Sequence, residues 1–133
     1  MSRALALYPA IDLRRGYAVR LERGDPARET RYDADPVARA RTFVAAGAAA
    51  LHVVDLDGAF GTGENLDALR EICLAVDVPV QTGGGIRTAA DVAERFAAGA
   101  RAVCGCPPGA ARSRCHRVKV DRWEPARAPA CRS

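Results

Sequence analysis

Four places in this sequence hold residue types that can move protons or hold anions: Asp12, His52, the pair Asp55 and Asp57, and Gly83-Gly84-Gly85 followed by Arg87. The carboxylates and the glycine run close short apolar stretches, Leu5 to Ile11, Leu51 to Val54 and Val78 to Thr82. A carboxylate partly shielded from water at a strand end can have its pKa raised towards neutrality, which suits a general acid or base. Asp12 fits that description, and it equally fits a helix-capping or salt-bridged Asp. Three glycines ahead of a capped helix let backbone N–H groups approach an anion at the positive end of the helix, with Arg87 adding charge, an arrangement that suits a phosphate. The same run also serves a tight strand-to-helix turn requiring positive φ. His52 reads as a hydrogen-bonded strand histidine facing either a barrel interior or helices. Asp55 and Asp57 are a weak signal for a cation, and no metal is expected.

The elements that must position these residues follow from periodicity. Leu5 to Ile11 reads as a buried strand, Arg14-Arg15-Gly16 as a turn, and Tyr17, Val19 and Leu21 as one face of a short half-exposed strand. The polar stretch Arg23 to Asp33 reads as a loop. Asp35-Pro36 is a helix start, an oxygen-bearing N-cap before a residue whose missing N–H costs nothing in the first turn. That helix is expected to run to about Ala46, with Val37, Ala40 and Val44 on one face and Gly47 after it. Leu51 to Val54 is the next strand, and the Gly-rich stretch Phe60 to Glu64 a loop. Asn65 can cap a helix with Leu66, Leu69, Ile72, Cys73 and Val76 on one side. Val78 to Thr82 is the third strand. Thr88 and Asp91 have the spacing of a capping box for a helix ending at Gly99, and a fourth strand begins near Arg101.

Strands alternating with helices predict a parallel α/β sheet or barrel. Ala45-Ala46-Gly47-Ala48 recurs as Ala97-Ala98-Gly99-Ala100, each at a helix-to-strand junction and 52 residues apart. That spacing covers two βα units, as in a barrel assembled from repeated pairs. In such architectures ligands bind at the C-terminal ends of the strands, where the residues named above stand.

The chain carries 20 Lys and Arg against 16 Asp and Glu, but the excess is local. Residues 104–133 hold seven basic and two acidic side chains, four of the five cysteines and half of the eight prolines, whereas residues 1–103 are nearly neutral. The chain therefore divides into 1–103, a patterned domain, and 104–133, a Pro/Arg/Cys-rich tail expected to be disordered or derived from a shifted reading frame. The tail's Cys104, Cys106, Cys115, His116 and Cys131 are poorly spaced for zinc, and a disulfide framework does not suit a cytosolic chain. With one Trp and no helical charge stripe, the tail is not expected to bind nucleic acid. No apolar run is long enough to span a membrane or act as a secretory signal, and a cytoplasmic location is expected.

Four ordered motifs add a family resemblance: Tyr8-Pro9-Ala10-Ile11-Asp12-Leu13, Ala18-Val19-Arg20-Leu21, Leu51-His52-Val53-Val54-Asp55-Leu56-Asp57-Gly58-Ala59, and Val78-Pro79-Val80-Gln81-Thr82-Gly83-Gly84-Gly85-Ile86-Arg87. In this order and spacing the chain, from Met1 to about Val103, closely resembles the phosphoribosylformimino-aminoimidazole-carboxamide ribotide isomerases of histidine biosynthesis. The resemblance implies a partial (β/α)8 TIM barrel, about the first three βα units plus strand four, followed by an irregular C-terminal tail. It implies an Amadori rearrangement of an aminoaldose to an aminoketose on a small bis-phosphorylated sugar substrate, with no cofactor. Asp12 matches the family's first catalytic Asp, which takes the proton from the sugar C2; the second comes from a fifth strand. Gly84, Gly85 and Arg87 match one phosphate half-site, and Arg20 and His52 match substrate-contacting positions. After strand four the family has Gly-Thr or Gly-Ser, where this sequence reads Cys104-Gly105-Cys106-Pro107-Pro108. The related cyclase places a Lys where Arg20 stands, and no Lys precedes Lys119.

A complete barrel of this type takes roughly 250 residues and removes its sheet edges by closing. The chain is accordingly expected to be truncated, and inactive or severely impaired alone, with self-association through open sheet edges. The alternative is a non-catalytic half-barrel that binds phosphate or assembles with a partner half.

Overall fold

The computed structural model describes residues 7–33 and 35–105 and the strand at 116–119, with the backbone alone at 32–33 and 116–119. The expected strand residues Leu5 and Ala6, and the tail thiols Cys106, Cys115 and Cys131, lie outside the described residues. In chain order the elements are β1 (Ala10–Arg14), β2 (Tyr17–Glu22), β3 (Asp25–Asp33), α1 (Pro36–Ala45), β4 (Leu51–Asp55), α2 (Leu56–Phe60), α3 (Leu66–Ala75), β5 (Val80–Gly83), α4 (Ala89–Ala97), β6 (Ala102–Gly105) and β7 (His116–Lys119). They form one seven-stranded sheet in the order β3-β2-β1-β4-β5-β6-β7. The four central strands, β1, β4, β5 and β6, run parallel, each joined to the next through helices, as expected for successive βα units of a barrel.

Leu51 and Val53 of β4, Ile11 and Leu13 of β1 and Val80 of β5 all face the helices, where Val37 and Ala40 of α1 and Leu69 and Ile72 of α3 meet them. Leu13, Leu51, Val53 and Ile72 are fully buried, and each such side chain contributes on the order of 2 kcal/mol. The starts of α1 and α4 match their sequence signals. Asp35 accepts a hydrogen bond from Val37 N, and Thr88 and Asp91 form both halves of a capping box.

Two expectations need correction. The first strand begins at Ala10 and continues past Asp12 to Arg14, because β1 is held on one side by β4 and on the other by β2, which pairs Asp12 with Val19, Leu13 with Ala18 and Arg14 with Tyr17. Asp12 is thus inside the strand rather than closing it. The polar stretch expected as a loop contains β3, an edge strand hydrogen-bonded antiparallel to β2. Its Arg, Asp and Glu residues suit an edge, where charge discourages further pairing. Beyond β6, the strand β7 pairs antiparallel with it. The ten residues between β6 and β7 are fewer than a parallel crossover needs, and an antiparallel return follows.

Candidate active site

Strand alternation divides the sheet into two faces. The face opposite the helices carries Asp12, His52, Val54, Gln81 and Cys104, all half-buried, on four adjacent parallel strands. The register places Asp12 beside Val54 and Ala10 beside His52, so Asp12 and His52 are diagonal neighbours on one face. The two sense each other electrostatically. Burial raises the Asp12 carboxyl above its ordinary value and the His52 charge opposes that rise; burial lowers the His52 imidazole and the Asp12 charge opposes that fall. The result is a carboxylate with enhanced affinity for a proton next to an imidazole biased towards its neutral form. Such a pair can abstract a proton and hold a hydroxyl oxygen nearby. The choice left open for His52, barrel interior or helices, resolves to the face away from the helices.

Gln81 and Cys104 extend this face, with Gln81 Nε2 donating to Cys104 Sγ at 2.7 Å. Gly83 separates His52 from Cys104: a side chain there would lie 3.6 Å from the Cys104 Cβ and 4.0 Å from the His52 Cε1. The sequence offers Gln81 only within a family motif and Cys104 only as a tail thiol, not as members of this face. The alternation of Gln81 with buried Val80 and Thr82 is the signal that could have found the first.

The glycine run is shaped by a close approach of backbones. Gly84 and Gly85 both have positive φ, and a Cβ on Gly84 would collide with the Asp55 carbonyl oxygen, while one on Gly85 would lie 2.6 Å from the Gly58 Cα. The turn after β5 is therefore pressed onto the end of β4 and the start of α2. Arg87 anchors the same turn: its Nη2 donates to Gly58 O at 3.2 Å, and its backbone N–H donates to Asp91 Oδ2 at 2.8 Å. The tight-turn reading holds, since the close approach of backbones requires glycine here, and the turn sets Gly84, Gly85 and Arg87 ahead of α4.

Arg20 lies on β2, the antiparallel neighbour of β1. It follows Val19, the cross-strand partner of Asp12, and its side chain is exposed.

Asp55 and Asp57 are buried, and they belong to a different cluster. Asp55 caps α2 through Gly58 N at 3.0 Å and accepts from Asn65 N and Asn65 Nδ2, both at 2.8 Å. Arg95 of α4 reaches it from below, Nη2 to Asp55 Oδ2 at 3.6 Å. Asp57 accepts from Arg15 N at 2.6 Å, Asn65 Nδ2 at 2.8 Å and Thr62 Oγ1 at 3.2 Å. Burial pushes the Asp57 carboxyl up, but the hydrogen bonds from Arg15, Asn65 and Thr62 and the Arg14 charge outweigh it and leave the pKa low. These carboxylates hold structure together, and no group of three metal-ligating side chains occurs among the described residues. Asn65, expected as a helix cap, occupies the cap position of α3 without a side-chain cap bond. A cavity of about 680 Å³ adjoins it, lined by Arg14, Arg15, Asp57, Glu64 and the first turn of α3; Asp12 and His52 are not part of its wall.

No helix among the described residues is long and apolar enough to cross a membrane. Known proteins match this chain over the region of the parallel strands. Over 101 residues it is 57% identical to a Rubrobacter xylanophilus protein named 1-(5-phosphoribosyl)-5-((5-phosphoribosylamino)methylideneamino) imidazole-4-carboxamide isomerase, which covers 74% of this chain and 42% of that protein. Proteins of the same name match from Acidiphilium cryptum, 59% identical over 68% of this chain and 37% of theirs, and from Thermus thermophilus, 51% identical over 76% and 43%. The chain thus spans about two fifths of the length of these curated relatives. The histidine biosynthesis protein family matches residues 6–107, more than half of the chain, and the chain belongs to that family.

Proposed function

We propose that this chain carries the Asp12-bearing portion of an aldose-ketose isomerase that acts on a bis-phosphorylated aminoaldose in histidine biosynthesis. The observation that carries the reading is the half-buried Asp12 carboxylate beside His52 on the open face of the parallel strands, within a segment 57% identical to a curated isomerase. In the ring-opened imine Asp12 takes the proton from C2 as the imine nitrogen gains one, giving the enaminol; the enaminol then gains a proton at C1 as its C2 hydroxyl loses one, and the sugar emerges as the aminoketose. Burial favours the protonated product state of Asp12, which eases the abstraction. His52, held largely neutral, hydrogen-bonds a sugar hydroxyl.

Gly84, Gly85 and Arg87 hold one phosphate at the positive end of α4. Arg20 contacts the substrate. Copies of the chain associate through the open sheet edges, and the cytoplasm is the compartment in which the reaction takes place.

The test is a turnover assay with the bis-phosphorylated aminoaldose, using the full chain and an Asp12→Asn control. Turnover that the substitution abolishes supports the reading. Equal rates in both proteins overturn the role of Asp12, and absence of turnover in both, with phosphate still bound, leaves a non-catalytic phosphate-binding half-barrel.

A further inference from the structure

Asn65 is 6% exposed, and its side chain ties three separate segments together. Nδ2 donates to Asp55 Oδ1 and Asp57 Oδ2, each at 2.8 Å, joining the start of α3 to the end of β4 and to α2. The same nitrogen lies 3.4 Å from Leu13 O, and Oδ1 accepts from Gly16 N at 2.8 Å. Those two contacts grip the β1–β2 hairpin on either side of its turn. Asp57, held by Asn65, takes the Arg15 N–H at 2.6 Å and completes the grip.

An Asn at a helix N-cap ordinarily accepts from the first-turn N–H groups, and this interaction contributes about 1 kcal/mol to helix stability. Here the cap bond is given up. The side chain instead makes two buried hydrogen bonds to carboxylates, a class contributing roughly 1.5–3 kcal/mol each. The cap acceptor Oδ1 is taken by Gly16 N, while Nδ2 serves the two carboxylates. The consequence falls on β1, because Leu13 and Gly16 bracket the strand end one and four residues beyond Asp12, and the strand between them is too short to absorb a displacement of the turn.

We infer that Asn65 is a positioning residue for Asp12, fixing through Leu13 and the Arg15-Gly16 turn where the carboxylate stands relative to His52. This rests on the reading of Asp12 as the proton acceptor, but the geometry it concerns can be measured without turnover.

The experiment is the His52 titration, followed by the imidazole Cε1–H resonance in the full chain. Asn65→Ser is the informative variant, since Ser caps α3 directly and supports the helix while its hydroxyl cannot reach Gly16. Release of the turn withdraws the Asp12 charge that raises the His52 pKa, and the His52 midpoint falls below that of the wild type. In an Asp12→Asn background the same Asn65→Ser change moves the midpoint no further. A merely structural Asn65 lowers the unfolding midpoint and leaves the His52 titration of the folded chain where it was. An unchanged His52 midpoint in Asn65→Ser, or an equal shift that persists without Asp12, overturns the proposal. If Asn65→Ser does not fold, Asn65→Thr, a second capping residue with a methyl to fill the site, carries the same comparison. Failure of the isomerase reading shows in the turnover assay and leaves the His52 result independent of it.

Discussion

Arg95 and Asp55 form a buried ion pair without a hydrogen bond between them: Nη2 stands 3.6 Å from Oδ2, their side chains are 4% and 6% exposed, and Arg95 Nε and Nη1 have no partner. The pair is asymmetric. Asp55 keeps three hydrogen bonds from Gly58 and Asn65 when Arg95 is removed, whereas Arg95, when Asp55 is neutralised, keeps as its negative neighbour among the described residues only the Asp91 carboxylate, which is not among its close ion pairs. Loss of one partner of a buried pair costs roughly 3–5 kcal/mol when the remaining charge is stranded. Asp55→Asn is therefore expected to cost in that range, and Arg95→Met, which leaves a solvated-by-protein carboxylate and adds apolar packing, about 1–2 kcal/mol. Urea unfolding of both variants checks the order; equal losses would show that the hydrogen bonds to Asp55 do not compensate its charge.

Gly84→Ala and Gly85→Ala are expected to be among the most damaging small substitutions in the chain. A left-handed backbone costs a non-Gly residue roughly 1–3 kcal/mol, and here a collision with the Asp55 carbonyl or the Gly58 backbone adds to it. The loss should exceed that of Thr88→Ala, about 1 kcal/mol for a lost cap, in the same urea series. Gly63→Ala, also at positive φ but with only Asp57 Cβ nearby at 3.8 Å, is the comparison that separates strain from collision.

Positions with strong local signals were legible in the sequence. Asp35-Pro36 and Thr88-x-x-Asp91 marked helix starts through bonds made within four residues, and Leu51 to Asp55 marked a strand through composition and burial. β3 was not legible, because an edge strand of Arg, Glu and Asp lacks the alternation that a half-buried strand shows, and its existence depends on pairing with β2. Asn65 shows the same limit within the site. Its position at a helix start was readable, but its partners Leu13 and Gly16 are 52 and 49 residues away and no local pattern announces them. Asp12 and His52 were nominated by type and by family motif; that they share a face required the β1–β4 register.

The Asp12 and His52 shifts act on stability in opposite senses as pH changes. Asp12 has a folded pKa above its ordinary 3.8, so its contribution is fully favourable below that pH and is lost as pH rises through the raised folded value. His52 has a folded pKa below its ordinary 6.5, so its contribution is present above that pH and is lost as pH falls through the lowered value. Asp12→Asn removes the first effect. The variant is expected to be more stable than the wild type at pH 7 and to lose that advantage by about pH 3, where both side chains are neutral. A wild type more stable than Asp12→Asn at pH 7 would mean that the carboxylate has a partner outweighing its burial.

The capping box of α4 links stability to the turn that bears Arg87. Asp91 Oδ2 accepts from both Arg87 N and Thr88 N, and these bonds, with the Thr88 hydroxyl and the Arg95 charge, hold its carboxyl below the ordinary value against slight burial. Its contribution is therefore present above pH 3.8 and is lost as pH falls through the depressed folded value. Thr88→Ala removes only the N-cap, costs about 1 kcal/mol, and leaves the Arg87 N–H bound. Asp91→Ala frees the Arg87 backbone as well, so it should loosen the whole turn after Gly85. Amide hydrogen exchange separates the two: Arg87 N–H is expected to exchange at near the wild-type rate in Thr88→Ala and at least about tenfold faster in Asp91→Ala, a factor equal to about 1.4 kcal/mol of local opening. Equal exchange in both variants would show that Arg87 is held by its side-chain contact with Gly58 O alone.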